Sequence, residues 1–345
     1  MPTHRLLILI LSSLGLSSVA LTGCGPIATV EGLVCIDAEE DATSCPAAED
    51  VDLEEAFVYM SCDQEKISSI SGEGTVQNIS QLGDDMGCCY DAELIETTPG
   101  SDCDVGRPFR EADAAVLAEV VQRGDWGGCD PGPVIDPARA AAWARSGAAE
   151  HASIAAFSKL ALELLAHGAP APLVRAVHAA GLDEIDHAER CFALAGRFGG
   201  VAVGPGPLPI TQPIFASRPL ADIAADAVRE GCVGETTGAV LARAAADAAA
   251  DPQVREALAA IAADEERHAA LSWQVVAWAV RASSTREDAA VVREAVRAAF
   301  AAPVAAVDVT ELAVRAQVEP ALLRAAARTS LTDVVRPAAR ALMAA

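Results

Sequence analysis

Two stretches of this chain set a carboxylate three residues before an imidazole: Glu184-Ile-Asp-His187 and Glu265-Glu-Arg-His268. On a helix, residues three apart share a face, so each stretch offers one oxygen and one nitrogen donor to the same point. The chain has only six histidines. One such match would be weak, but two at equivalent places in successive helical hairpins are a much stronger signal. Carboxylate oxygen with imidazole nitrogen is a donor set for divalent iron or manganese, harder and larger than structural zinc sites use.

The elements that must position these pairs follow from apolar spacing. Helices are predicted at about 138–167, 172–197, 218–250 and 252–283, with shorter ones near 286–301, 309–318 and 320–343. A Gly/Pro loop after His167 joins the first two, and Asp251-Pro252 joins the next two. Loops this short make antiparallel hairpins. Between the second and third helices, a run from Gly199 to Pro213 is long enough to carry the chain along the whole bundle. Two hairpins joined by one long crossover is the ferritin-like arrangement. The expected fold is therefore all-α: a ferritin-like four-helix bundle over residues 137–283, with extra C-terminal helices over 284–345.

A dimetal site in such a bundle takes one further Glu from each of the other two helices. Glu150 is the sole acidic residue between Asp136 and Glu163. On the third helix the candidates are Glu230 and Glu235. Glu235 lies 15 residues before Ala250 and Glu230 lies 20, which puts Glu230 about 7 Å further from the turn. Hairpin register favours Glu235, with Glu230 as a neighbouring or alternative ligand. Four carboxylates and two neutral imidazoles carry a charge of about −4, which balances two divalent ions. Glu184 and Glu265 can bridge them, while Glu150 and Glu235 can change binding mode.

Through Glu150, Asp183-Glu-Ile-Asp-His187, Glu235 and Asp264-Glu-Glu-Arg-His268, the chain resembles the ferritin-like di-iron carboxylate superfamily over roughly Pro137 to Arg281. The last string is similar to the Asp-Glu-x-Arg-His motif of oxygen-activating members, such as ribonucleotide reductase small subunits and bacterial multicomponent monooxygenases. The resemblance implies two iron ions, with manganese as the alternative, and a centre that reacts with oxygen or peroxide. It also implies that Asp264 hydrogen-bonds a ligand histidine, a role open to Asp183 in the other motif. The second helix departs from the pattern, with Asp186 where Arg would stand. Phe157 occupies the position, seven residues after the first Glu, where bacterioferritins and rubrerythrins carry Tyr. Both tyrosines, Tyr59 and Tyr90, precede the bundle, which argues against a tyrosyl-radical generator. His151, His167 and His178 lack ligand spacing. Cys191 and Cys232 are expected as buried thiols or a structural disulfide.

The net charge of −24 excludes nucleic acid as a partner. Nearly all of that excess falls on residues 24–136, whose only basic residues are Lys66, Arg107, Arg110 and Arg123. Seven cysteines (Cys35, Cys45, Cys62, Cys88, Cys89, Cys103 and Cys129) mark this region as a disulfide-stapled, loop-rich acidic segment with one helix near Glu111 to Gln122. Residues 1–23 read as a signal peptide: a basic start, then an uncharged run from Leu6 to Leu21. Leu21-Thr22-Gly23-Cys24 resembles the lipobox of bacterial lipoproteins, which implies lipidation of Cys24 and an extracytoplasmic protein anchored to the outer membrane or cell envelope. A lipid anchor and a preceding segment argue against a closed storage shell. The electron donor is left open, and a homodimer is one permitted state. The competing expectation is a non-catalytic surface module, with the bundle as scaffold and the acidic segment binding a partner or cations.

Overall fold

The computed structural model describes residues 5–7, 9–10, 33–37, 44–48, 51, 57–58, 66–78, 86–95, 107–111, 114–128, 135–211, 218–282, 285–302 and 309–344. Helix dominates it. Helix α1 (Pro137–Ala166) starts where Asp136 accepts a hydrogen bond from the Arg139 amide at 3.1 Å and Pro137 fills the first turn. Helix α2 (Ala171–Gly199) follows through a short loop and ends on Gly200 at φ 71°, a left-handed cap that costs glycine little. The next rod has three parts: α3 (Leu220–Asp226), a π-helical stretch (Ala227–Glu235) and α4 (Thr236–Ala248). Helix α5 (Pro252–Ala282) returns after Asp251, whose carboxylate accepts from the Gln253 amide at 3.0 Å. Helices α6 (Arg286–Ala301), α7 (Thr310–Ala316) and α8 (Pro320–Ser330), a second π-helical turn (Leu331–Val335) and α9 (Arg336–Ala344) complete the chain. These limits agree with the expected helices within the usual one or two residues.

The rods pack as two hairpins. Helix α1 lies along α2, the π-helical stretch and α4 lie along α5, and α2 meets α5 between them. The many alanines buried here, such as Ala142, Ala152, Ala188, Ala245, Ala262 and Ala269, let the helices approach closely. Bulk comes from a few large residues: Trp143 and Trp273 are fully buried, and Trp273 stacks on Phe300 of α6 with ring centres 5.4 Å apart. Among the described residues no helix is long and apolar enough to cross a membrane. Near the N-terminus, Leu6, Leu7 and Ile10 pack into the larger apolar cluster.

Two expectations for the N-terminal region need correction. Its first part is not merely loops but a four-stranded antiparallel sheet, ordered β2 (Phe57–Val58), β1 (Leu33–Asp37), β4 (Met86–Ile95), β3 (Lys66–Asn78). Cys88 and Tyr90 share a face of β4, as residues two apart must, and both are buried. Cys88 bonds Cys45, and the Tyr90 hydroxyl donates to the Pro46 carbonyl at 2.9 Å. Cys35 stands opposite Cys89 in the ladder. Cys62, Cys103, Cys129 and Cys24, the position expected to be lipidated, lie outside the described residues.

The second correction concerns 111–122, which is extended rather than helical where it is described. Strand β5 (Arg110–Glu111) pairs with β6 (Ala114–Ala115), and β7 (Val120–Gln122) pairs with β8 (Val203–Pro205) in the crossover. The reason is tertiary. The crossover strand offers the β-branched Val120-Val121 pair an edge to bond with, and that contact overrides the local helical preference of Ala, Leu and Glu. Phe109 packs on Ala152 and Ala156 of α1, and its amide donates to the Ala152 carbonyl at 3.3 Å. Residues 107–111 and 114–128 thus form a strap across α1 and the crossover, and this strap delivers a side chain to the site.

Candidate metal centre

The two hairpins turn six donor side chains inward at one level of the bundle. Glu150 comes from α1, Glu184 and His187 from α2, Glu235 from the end of the π-helical stretch, and Glu265 and His268 from α5. They form two groups: Glu150, Glu184, His187 and Glu265, and Glu184, Glu235, Glu265 and His268. Within each group one ligand atom per residue lies within 4.8 Å of all the others. Glu184 and Glu265 belong to both. Two four-donor groups that share two carboxylates have the layout of a pair of ions bridged by those carboxylates.

The imidazole Nδ1 atoms face inward. His187 Nδ1 lies 3.4 Å from Glu184 and 3.8 Å from both Glu150 and Glu265. His268 Nδ1 lies 3.1 Å from Glu184, 3.6 Å from Glu235 and 3.9 Å from Glu265. Their outer nitrogens are tied across the hairpins. His187 Nε2 donates to Asp264 on α5 and His268 Nε2 donates to Asp183 on α2, both at 3.1 Å. Each Glu-x-x-His helix therefore orients the other helix's histidine. Arg267 joins the two supports, with 2.5 Å to Asp264 and 2.9 Å to Asp183. One arginine thus serves both sides, and exposed Asp186 has no part in it.

Whether the residues fit a metal pair can be judged from unmet polar atoms. His187 Nδ1, His268 Nδ1, Glu184 Oε2, Glu265 Oε2 and both oxygens of Glu235 are buried without a hydrogen-bond partner. Buried polar atoms are rarely left so, and here they converge on one space with the donor types that iron and manganese accept. The set fits. Glu150 is its most accessible member, its side chain 16% exposed against 1% for Glu235.

Without metal the cluster compensates its own charge with protons. Burial disfavours imidazolium, yet Asp264, Glu150 and Glu184 outweigh it and push His187 far above the usual value. His268 is raised in the same way by Asp183, Glu184 and Glu235. Burial works against the Glu184 carboxylate too, but His187 and His268 draw it down to about 2. Glu265 is pushed well up by burial and by the charges of Glu235 and Glu184. Burial likewise raises Glu150.

Other candidates fall outside both groups. Glu230 stays clear of them; burial raises its carboxyl, and the charge of Arg107, Arg110 and Lys159 pulls the other way. His167 Nε2 meets the Arg218 carbonyl at 2.8 Å and His178 is exposed. The His151 ring meets Trp126 edge-on at 5.2 Å. Cys191 and Cys232 are separate buried thiols. Burial pushes Cys191 up to about 12, so neither is poised as a thiolate at neutral pH. Sequence reasoning missed Arg107, which is buried beside Glu235 at 3.4 Å. Its signal was its place among only four basic residues in an acidic region. Compared with known proteins, the chain matches no family model, no curated protein and no solved structure.

Two outcomes follow from this geometry. A metal ion must displace the protons held by His187 and His268, so uptake at neutral pH releases protons and affinity rises with pH. Calorimetric titration with Mn²⁺ in two buffers of different ionisation enthalpy should give different apparent heats; equal heats would contradict it. Replacing Asp183 or Asp264 with Asn frees a histidine ring, and each variant should lose about 10- to 100-fold in metal affinity with little change in helix content by circular dichroism.

Proposed function

We propose that this chain is an exported, lipid-anchored, ferritin-like protein whose bundle binds two iron ions, or two manganese ions, and reacts with dioxygen or peroxide as an oxidase, peroxidase or hydroxylase. The observation that carries the reading is the pair of buried donor groups sharing Glu184 and Glu265. The long crossover between two helical hairpins supports the ferritin-like assignment. The leader and the Leu21-Thr22-Gly23-Cys24 string support export and lipidation of Cys24.

In this reading a bound metal pair, in its reduced form, would supply the electrons that reduce the oxidant. The protein's part is placement. Glu150, Glu184, His187, Glu235, Glu265 and His268 would hold the ions, with Glu184 and Glu265 common to both donor groups. The reciprocal Asp264 and Asp183 hydrogen bonds keep each Nδ1 free to bind and its ring from turning. Phe157 lies against His268 at 5.2 Å between ring centres and closes that side with an apolar wall that cannot donate a phenolic hydrogen. Glu150, the most exposed of the six at 16%, marks the side from which a small oxidant would approach.

Protein reconstituted anaerobically with Fe²⁺ should retain two ions per chain after desalting, and should then consume added dioxygen or peroxide with a change in optical absorption. The Glu184→Ala, His187→Ala double variant should retain less than one ion and consume oxidant at the background rate. Wild-type protein that keeps no metal defeats the proposal, and so does full retention by the variant.

A further inference from the structure

The buried arginine beside the centre does not belong to the bundle. Arg107 comes from the N-terminal strap and is 3% exposed. Its Nη2 donates to the Ser272 hydroxyl at 3.1 Å, and that hydroxyl donates to the His268 carbonyl at 3.1 Å. Its guanidinium stands 5.3 Å over the Phe157 ring. Its Nε lies 3.4 Å from Glu235 Oε1 and has no hydrogen-bond partner. Gly231 in the π-helical stretch makes the room, because a Cβ there would overlap both Ser272 and Arg107. An arginine keeps its proton at any ordinary pH, so this is a fixed positive charge placed next to a group of cation ligands.

It touches only one half of the cluster. Glu235 has one oxygen, Oε1, toward Arg107 and the other, Oε2, toward His268 Nδ1. Glu150, the corresponding carboxylate of the other half, pairs with His187, and among the described residues no arginine is paired with it. We propose that Arg107 is a positioning residue that makes the two metal positions unequal. It sets its charge 3.4 Å from one oxygen of Glu235 and leaves the other toward His268. Its charge makes the Glu235–His268 group the weaker position, filled second. The N-terminal strap is then part of the centre, and whatever displaces the strap changes the second position. This inference rests on the dimetal reading above.

The test is anaerobic Mn²⁺ titration of the full chain, with free Mn²⁺ followed by electron paramagnetic resonance. Wild-type protein should bind two ions in two steps whose Kd values differ by about tenfold or more, a gap that modest Coulomb repulsion at partly screened range supplies. Arg107→Gln should tighten the second step by about tenfold, leave the first unchanged and bring the two together. Arg107→Lys, which keeps the charge, should keep the gap. Ser272→Ala, which loosens the guanidinium without touching a ligand, should narrow it, and this variant decides the question if circular dichroism shows Arg107→Gln to be unfolded. Two ions in wild-type protein with an unchanged or weakened second step in Arg107→Gln overturns the role of Arg107 alone. Wild-type protein that binds no Mn²⁺ overturns the dimetal reading and this inference with it.

Discussion

Four carboxylates cannot share a buried space without positive charge close by. That constraint organises the bundle. Desolvating one carboxylate costs several kcal/mol, and each added neighbour of like charge raises the cost. Glu150, Glu184, Glu235 and Glu265 meet that cost through His187, His268 and, at one end, Arg107. Those groups are compensated by protons when no metal is present, so the space can form before metal arrives. Divalent ions would replace the protons more effectively, since each brings two charges to the point where the carboxylate oxygens converge.

The rest of the bundle can be understood as support for that point. Alanine-rich faces bring the four rods close enough for donors on different helices to meet. The crossed Asp–His pairs link α2 to α5, so neither hairpin can shift without disturbing the ligands of both halves. The π-helical stretch ends on Glu235 and opens the place at Gly231 through which Arg107 enters. The strap is held by the β7–β8 ladder and by Phe109 on α1. A region that composition marks as a separate acidic segment is therefore attached to the centre at its C-terminal end.

How much of this was legible beforehand depended on how local each feature is. Helix limits follow from apolar spacing, Pro and Gly, and these signals act within a few residues. Glu184, His187, Glu265 and His268 carry their own spacing, and Glu150 stood out because its helix has so few acids nearby. The choice of Glu235 over Glu230 came from hairpin register, and the structure places Glu235 in the cluster and Glu230 outside it. What escaped were features set by partners distant in sequence. Val120–Gln122 looks helical alone but becomes a strand because the crossover offers an edge. The sheet around Tyr90 depends on pairings across tens of residues. Arg107 lies 128 residues before the glutamate it meets, and no local pattern announces that contact.

The central claim is that two ions sit between the hairpins, bridged by Glu184 and Glu265. Anomalous X-ray diffraction from crystals of the protein loaded with Mn²⁺ tests it most directly. The account predicts two anomalous peaks inside the bundle, one beside His187 and Glu150 and one beside His268 and Glu235, with Glu184 and Glu265 lying between them. A loaded crystal with no peak among these six residues, or with a single ion bound elsewhere on the acidic surface, would contradict it.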